Sequence, residues 1–375
     1  MSSASVTIAD RMPEAASGLD DVVVAETVLS EVDGAAGRLV IRGRPLDALA
    51  GRASAEAVAA LLLDGFFPDL PDDLPAALGA ARAEVFAELA AADAGIRRLP
   101  PVEALRALSA RLADGDDLAT ALRLIAAPAV LTPGLVRLAR GLEPVAPDPA
   151  LGQAADVLRM LHGTMPDAAQ AAALDRYLVT VADHGLNAST FAARVVASTR
   201  AGLTSAWLAA LGALKGPLHG GAPGPVLDML DAVGMPERAE AWLSGALDRG
   251  ERLMGFGHRI YRVRDPRADA LKAGVAALAA AGRVDAGRLR LAEAVEAAAL
   301  ALLARRKPGR PLETNVEFYT ALLLEALGFP RETFTCVFAL GRGPGWLAHA
   351  REQVATGRLL RPQSRYVGPR PREAA

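Results

Sequence analysis

The chain has 375 residues and a formal net charge of −2, which excludes a general electrostatic affinity for nucleic acid or an anionic membrane. Hydrophobic residues form 52% of the sequence and aromatic ones only 4%, so we expect a core of Ala, Leu and Val packed as helices. A single cysteine, Cys336, excludes an intrachain disulfide framework. With no signal-peptide pattern and no apolar run of transmembrane length, we expect a cytoplasmic protein large enough for two domains.

A β-hairpin is predicted near the start of the chain. Within residues 22–42, two runs rich in β-branched side chains flank the sequence Asp33-Gly34-Ala35-Ala36-Gly37. Alternating strand-forming runs on either side of a glycine-rich turn are typical of hairpins.

The rest of the chain has the apolar spacing of helices, with Ser54 as the cap of a helix that ends at Leu63. Further helices are predicted at 72–92, 102–113, 167–183, 188–200, 203–214, 224–232, 236–249, 266–281, 284–306, 315–327 and 343–356. Thr132-Pro133 and Asp148-Pro149 are each predicted to open another helix. The Arg- and Pro-rich tail from Gly357 should be extended.

Glycine and proline residues supply two candidate hinges in this helical chain. Gly216-Pro217 with Gly220-Gly221 forms the first, and Gly328-Phe329-Pro330 forms the second. We therefore predict a large domain from 1–220 and 332–375, interrupted by a smaller domain from 221–331.

The stretch from Leu253 to Lys272 carries the densest set of chemical groups. Gly255 and Gly257 precede His258, and Asp265-Pro266 should cap a helix whose first turn contains Arg267. Free N–H groups and the helix dipole favour anions at such a position. A site for a small polyanion and a surface loop with solvated arginines are equally compatible with this segment.

Three of the five histidines, His184, His219 and His258, lie on glycine-flanked turns. No two histidines have the i, i+4 spacing of a zincin site, and a P-loop motif is missing. We therefore predict no metal site.

Two charged residues each allow two interpretations, and a third allows one. Glu317, beside aromatic residues, could be a desolvated general base, or a first-turn glutamate that stabilises its helix dipole. Arg342, where an apolar segment meets glycines, could bind a specific anion or form an interhelical salt bridge. Arg361, in the tail, is expected to be solvated.

Six segments, in this order and spacing, together resemble the citrate synthase family. They are VVVAETVLSEVDGAAGRLVIRG (22–43), DHGLNASTFAARVVAST (183–199), GPLHGGAPGPV (216–226), GFGHRIYRVRDPRADALK (255–272), TNVEFYTALLLEALG (314–328) and RLLRPQSRYVGP (358–369). The resemblance is greatest to short bacterial citrate and 2-methylcitrate synthases. It implies an all-α, two-domain, multi-helical fold with a small N-terminal hairpin, assembled as a homodimer.

The same resemblance implies a role for each matching residue. His219 would stabilise the enol of acetyl-CoA, His258 would polarise and protonate the oxaloacetate carbonyl, and Glu317 would remove the methyl proton. The implied oxaloacetate ligands are His184, Asn187, Arg267 and Arg342, with Arg361 supplied by the partner subunit. Ser189 aligns with a polar residue that lines the site.

Coenzyme A would be the co-substrate, with no permanently bound cofactor. Its implied contacts are Leu253, Met254, Gly255, Phe256, Gly257 and Arg262, with Lys307 and Arg310 as further candidates. The sequence departs from the family at Glu317, where an aspartate is usual, at Gly185, where many relatives have glutamate, and at Gly343-Pro344 after Arg342.

The implied activity is that of an acyltransferase that condenses acetyl-CoA with oxaloacetate and hydrolyses citryl-CoA to citrate and CoA. Synthesis of 2-methylcitrate from propionyl-CoA is the alternative within the family, because one methylene changes discrimination by only ~1–3 kcal/mol. An alternative of another class is a catalytically weak paralogue that binds acyl-CoA as a sensor.

Overall fold

A computed structural model describes residues 19, 22–220, 223–258, 260–309, 312–366 and 368–369. Within these ranges the chain forms fifteen α-helices and one small sheet. The helices of the first half are α1 (Leu46–Leu49), α2 (Ala55–Leu63), α3 (Leu74–Phe86), α4 (Pro101–Ser109), α5 (Leu118–Ala139), α6 (Gln153–His162), α7 (Ala168–Val181) and α8 (Ala188–Ala197). Those of the second half are α9 (Leu203–Leu214), α10 (Pro223–Val233), α11 (Ala239–Asp248), α12 (Pro266–Ala280), α13 (Ala286–Arg306), α14 (Val316–Ala326) and α15 (Phe334–Thr356). The predicted all-α fold class is confirmed.

The predicted hairpin is also confirmed. Strands β1 (Ser30–Asp33) and β2 (Arg38–Ile41) pair antiparallel, and a two-residue strand β3 (Arg44–Pro45) adds to β2. One carboxylate oxygen of Asp33 accepts hydrogen bonds from the backbone N–H groups of Ala35 and Ala36. The turn is thereby held by its own first residue, as expected of an Asx turn.

The helices pack as two groups. In one group α15 lies against α5, α7, α8 and α9, and the rings of Trp207 and Trp346 meet edge to face with their centroids 6.0 Å apart. In the other, α10 packs on α14, α11 on α13, and α12 on α14. Helix α12 also packs on α7 and so joins the two groups. The second group falls within the predicted small domain, whose boundary at 220/221 adjoins residues 221–222, outside the described ranges.

Helix α5 corrects two expectations drawn from the sequence. Pro133 does not open a helix, because both it and Pro128 lie inside the 22 residues of α5. Because α5 is buried on almost every side, its packing outweighs the roughly 3 kcal/mol that each interior proline costs. By length and composition α5 could cross a membrane, contrary to the expectation that no run is long enough, yet 89% of its most apolar window is buried in the protein.

Two helix starts were predicted wrongly. Asp148-Pro149 forms a turn in which Asp148 accepts a hydrogen bond from Ala150 N–H, and α6 begins only at Gln153. Helix α15 begins at Phe334 and continues through Gly341–Gly345, where the sequence suggested a break. The glycines permit close packing: a Cβ on Gly341 would overlap the Val181 side chain, and one on Gly345 would overlap the carbonyl oxygen of Ala182.

Candidate active site

The loop before His258 has the backbone that its glycines predict. Gly255 and Gly257 have φ angles of +85° and +81°, in the left-handed region that favours glycine. Gly257 N–H donates to the Glu313 carbonyl at 2.7 Å, and Asn315 N–H donates to the Gly255 carbonyl at 2.9 Å. These bonds fix the glycine loop, with the predicted CoA contacts Leu253 to Gly257, against the segment that leads into α14.

His258 is held in one orientation and one tautomer. Its Nδ1 accepts hydrogen bonds from the backbone N–H groups of Ile260 and Tyr261, both at 3.0 Å. Nδ1 is therefore unprotonated, and the proton of the neutral ring lies on Nε2. Burial and the nearby Arg267 lower the pKa of His258 to about 4. Near neutral pH this ring is an uncharged donor through Nε2.

Arg267 is a buried cation held by one carboxylate. As predicted, Asp265 caps α12, accepting a hydrogen bond from the backbone N–H of Arg267 at 3.0 Å. The Arg267 guanidinium also donates to both oxygens of Asp265, at 3.0 and 2.9 Å. Asp265 additionally accepts a hydrogen bond from the backbone N–H of Val316, in the first turn of α14. One buried carboxylate thus positions Arg267 and connects it to the helix that carries Glu317.

Glu317 lies in the first turn of α14, after the cap Asn315. Burial raises the pKa of its carboxyl to about 7, against the opposite effect of Arg267; Asp265 adds to the rise and Arg252 counteracts it. A carboxyl group that titrates near neutral pH has the property that a general base requires. This favours the general-base interpretation over a glutamate that only stabilises the helix dipole.

His219 contacts the hydroxyl group of Ser189, and the other hydrogen bonds of that hydroxyl identify which atom is the donor. Its Nε2 lies 2.8 Å from Ser189 Oγ, which also receives a hydrogen bond from Trp346 Nε1 at 3.1 Å. Ser189 donates its own proton to Asn187 Oδ1 at 2.7 Å. Nε2 of His219 is therefore the donor in this arrangement, and rotation of the Ser189 hydroxyl towards the ring would move the ring proton to Nδ1. Burial, with smaller effects of Arg342 and Arg267, lowers the pKa of His219 to about 4.

Asn187 has a local structural role. Its Oδ1 accepts hydrogen bonds from the backbone N–H groups of Ser189 and Thr190 as the cap of α8. Its Nδ2 donates to the Gly185 carbonyl and to Thr190 Oγ1. The amide that was predicted to bind substrate is used here to hold the turn between His184 and Ser189.

His184 and Arg342 complete the buried polar cluster. His184 Nε2 lies 3.2 Å from the Tyr261 hydroxyl, and the centroids of the His184 and His258 rings are 5.7 Å apart. Burial, together with Arg267 and Arg342, keeps the pKa of His184 well below its usual value. Arg342 donates from Nε to the Val181 carbonyl and lies over the ring of Phe338 at 5.1 Å. Among the described residues, the hydrogen bonds of Arg342 involve Nε alone.

A buried network behind His184 was not predicted. Arg194 donates to Glu352 at 2.6 Å and to His349 Nδ1 at 2.7 Å, and His349 Nε2 lies 3.2 Å from Asp183. Because the arginine can only donate, the ring proton of His349 lies on Nε2 and faces Asp183. Burial alone would raise the pKa of Asp183, but His349 and Arg342 hold it below the usual range. The only signal for this network in the sequence was the spacing of His349 and Glu352, three residues apart on one helix.

Three predicted contacts lie outside this cluster, and a fourth cannot be placed. Arg361, Arg262 and Lys307 are exposed, and Arg310 is outside the described residues. A cavity of about 250 Å³ adjoins Leu253 and Met254 and is bounded on its other side by α10 and α11. In the part of the chain that the structure describes, no group of three or more His, Cys, Asp or Glu side chains could hold a metal ion.

Comparison with known proteins gives a consistent result. Residues 18–363 match the family model described as "Citrate synthase, C-terminal domain". The chain is 42% identical to "Putative citrate synthase 2" of Mycobacterium tuberculosis over 95% of this chain and 93% of that protein. It is 37% identical to a 2-methylcitrate synthase of the same organism, over 96% and 92% of the two chains. The fold matches citrate synthase from Thermoplasma acidophilum, solved as a ternary complex with carboxymethyl coenzyme A and oxaloacetate, with a TM-score of 0.84, 28% identity and coverage of 97% and 99%.

Proposed function

The chain belongs to the citrate synthase family, and from this membership we propose that it condenses acetyl-CoA with oxaloacetate and hydrolyses citryl-CoA to citrate and CoA. One observation carries the assignment to the described cluster. The charge of the buried Arg267 acts on His184, His219, His258 and Glu317. Two neutral catalytic donors and a titratable carboxylate therefore lie within electrostatic reach of one anion-binding group.

The proposed first step is proton removal from the acetyl methyl group. The Glu317 carboxylate takes this proton, and the oxygen of the thioester gains negative charge. A weak carbon acid needs that charge stabilised in the same step. His219 supplies a hydrogen bond from Nδ1–H, in the tautomer in which the Ser189 hydroxyl has turned to donate to Nε2.

The enol carbon then attacks the oxaloacetate carbonyl. His258 donates a hydrogen bond from Nε2 to the carbonyl oxygen, which becomes an alkoxide as the new carbon–carbon bond forms. The alkoxide then takes up, through solvent, one proton to replace the one that Glu317 removed from the methyl group. Arg267 and Arg342 bind the two carboxylates, since guanidinium groups match carboxylate geometry. Water then hydrolyses the thioester, and coenzyme A leaves. The exposed Arg262 and the loop from Leu253 to Gly257 would contact the CoA nucleotide.

The assignment of the base can be tested by isotope exchange. Glu317→Gln should abolish exchange of the acetyl methyl protons of acetyl-CoA with solvent in the presence of an oxaloacetate analogue. Glu332→Gln, at an exposed glutamate, is the matched control and should exchange normally. Retained exchange in Glu317→Gln would assign the base to another group.

Propionyl-CoA is the alternative substrate, supported by the relative named 2-methylcitrate synthase. The additional methylene of Glu317 relative to aspartate bears on this choice, because it moves the carboxylate by roughly 1 Å and alters the space beside the acyl group. Comparison of kcat/KM for acetyl-CoA and propionyl-CoA with oxaloacetate distinguishes the two activities. If neither releases CoA, while acyl-CoA still binds, the protein is a sensor and not a synthase.

A homodimer in the cytoplasm is part of the proposal, with Arg361 contributed to the partner's site. Leu360 is anchored by a hydrogen bond from its backbone N–H to Ser198 Oγ, and Arg361 is exposed immediately after it. Mixed dimers of Arg361→Ala and His219→Ala subunits should regain activity that neither parent has. If mixing restores none, Arg361 acts within its own subunit or outside the site.

A further inference from the structure

The N-terminal hairpin contacts both histidine loops of the active site, although nothing in the proposed reaction uses it. Its base is fixed to the helical body: Glu352 of α15 accepts a hydrogen bond from Val28 N–H at 2.8 Å, and Arg42 donates to the carbonyls of Leu61 and Asp64. The hairpin therefore projects from α2 and α15 as a supported structure.

The first strand of the hairpin contacts the His184 loop. Ser30 Oγ accepts a hydrogen bond from Gly185 N–H at 2.9 Å. Gly185 has a φ angle of +59°, and a Cβ there would lie 3.6 Å from the Val32 side chain. The turn that begins at His184 thus takes its position in part from β1.

The tip of the hairpin contacts the loop that follows His258. Arg262 N–H donates to the Gly34 carbonyl at 2.8 Å. A Cβ on Gly34 would overlap the carbonyl oxygen of Ile260 and lie 2.8 Å from its carbonyl carbon. On the other side of the turn, a Cβ on Gly37 would lie 2.7 Å from the side chain of Val263. The tip therefore fits this loop with no room for a side chain.

These contacts reach His258 directly. The N–H groups that fix its Nδ1 belong to Ile260 and Tyr261, within the segment that the hairpin tip contacts. Tyr261 is also the residue whose hydroxyl lies against His184. The His184 loop and the His258 loop are thus connected twice, once through the hairpin and once through the contact of His184 with Tyr261. Both connections cross the predicted boundary between the large and small domains.

We propose that the hairpin sets the separation of His184 and His258, with Ser30 and Gly34 as positioning residues for oxaloacetate. This inference rests on the proposed function, since it assigns oxaloacetate to that ring pair. A misplacement on the order of 1 Å reduces catalysis ~100-fold, so small shifts of the hairpin should be visible in kinetics.

Gly34→Ala is the sharpest test, with Ala35→Ser in the same turn as its control. Both changes add one heavy atom, but Ala35 is exposed. We expect Gly34→Ala to raise KM for oxaloacetate roughly 10- to 100-fold, with a much smaller change in KM for acetyl-CoA and a melting temperature close to that of the wild type. Ala35→Ser should match the wild type.

Ser30 supplies a second variant that introduces no overlap. Ser30→Ala should raise KM for oxaloacetate by less than Gly34→Ala, and Ser30→Thr, which retains a hydroxyl, should restore it. Hydrogen–deuterium exchange provides a readout that does not depend on activity: the amides of Ile260, Tyr261 and Arg262 should exchange faster in Gly34→Ala.

The two proposals fail in different ways. Wild-type protein without synthase activity overturns the proposed function, whereas faster exchange at 260–262 in Gly34→Ala would still demonstrate the mechanical contact. Unchanged KM for oxaloacetate in both Gly34→Ala and Ser30→Ala overturns the positioning role. A lowered melting temperature with unchanged KM also overturns it, because the hairpin would then support only the fold.

Discussion

Arg267 Nη2 and His258 Nε2 lie 3.1 Å apart, and both atoms are hydrogen-bond donors. The guanidinium has no acceptor, and the ring proton is on Nε2 because Nδ1 already accepts two backbone N–H groups. One N–H of Nη2 is bound to Asp265 Oδ2, so the second N–H and the ring N–H face each other without an acceptor until an oxygen is placed against both. The pair is arranged for a ligand with adjacent carbonyl and carboxylate oxygens, which is the chemistry of a 2-oxo acid.

Replacing Arg267 should weaken this ligand selectively. Hydrogen bonds to charged groups contribute about 1.5–3 kcal/mol, so Arg267→Gln should raise KM for oxaloacetate by roughly 10- to 150-fold. Initial rates at saturating acetyl-CoA measure the effect. Arg305→Gln, at an exposed arginine paired with Glu240, serves as the control. Equal KM values in the two variants would exclude Arg267 as an oxaloacetate ligand.

The pH dependence of kcat/KM should reflect Glu317 in the free enzyme. The reaction requires its carboxylate, whose pKa is raised to about 7. Activity should therefore fall about tenfold per pH unit below pH 7. His219 and His258, with pKa values of about 4, stay neutral in this range and add no second inflection. A profile that remains flat down to pH 5 would contradict this role of Glu317.

Glu317 should also reduce stability at high pH. Its pKa is higher in the folded protein than in the unfolded chain, so stability is greatest below the unfolded pKa and is lost as pH rises through about 7. Glu317→Gln should exceed the wild type in free energy of unfolding at pH 8.5 by on the order of 2 kcal/mol, and by much less at pH 5. Urea denaturation at both pH values measures this difference. If Glu317→Gln and the wild type differ in free energy of unfolding by the same amount at pH 8.5 and pH 5, the Glu317 charge is not buried.

Replacing one member of the buried pair Arg194 and Glu352 should lower the free energy of unfolding far more than replacing both. Arg194→Met leaves a buried carboxylate without its cation and should cost about 3–5 kcal/mol of unfolding free energy. Arg194→Met combined with Glu352→Leu removes both charges and should recover part of this loss. Chemical denaturation of both variants tests the prediction. Arg38→Ala, which breaks an exposed pair with Glu31, should change stability by under about 1 kcal/mol.

Local sequence signals predicted much of the fold. Ser54 and Asp265, the predicted caps, both cap helices through side-chain hydrogen bonds, because a cap depends only on the residues next to it. The hairpin is likewise determined by its own turn. Pro133 and the glycines of α15 were misinterpreted, because only tertiary packing makes an interior proline or glycine acceptable in those helices.

The site was predictable in composition and less so in detail. The sequence singled out His184, His219, His258, Arg267, Glu317 and Arg342. The structure brings these six into one cluster, in which His184, Arg267 and Arg342 are buried and the other three are half-buried. The roles of Asn187, as a local cap, and of His349, next to Asp183, depend on hydrogen bonds that need coordinates. Asp183 and His349 lie far apart in the chain, so no periodic pattern in the sequence predicts their contact.

The Asp265 side chain connects the starts of two helices. Its carboxylate accepts hydrogen bonds from the first turns of both α12 and α14, so the helices that carry Arg267 and Glu317 start from a shared point. A redesign that shifted α14 to admit a longer acyl chain would also displace the oxaloacetate-binding arginine. Selection for new acyl specificity should therefore leave the two helix starts unchanged.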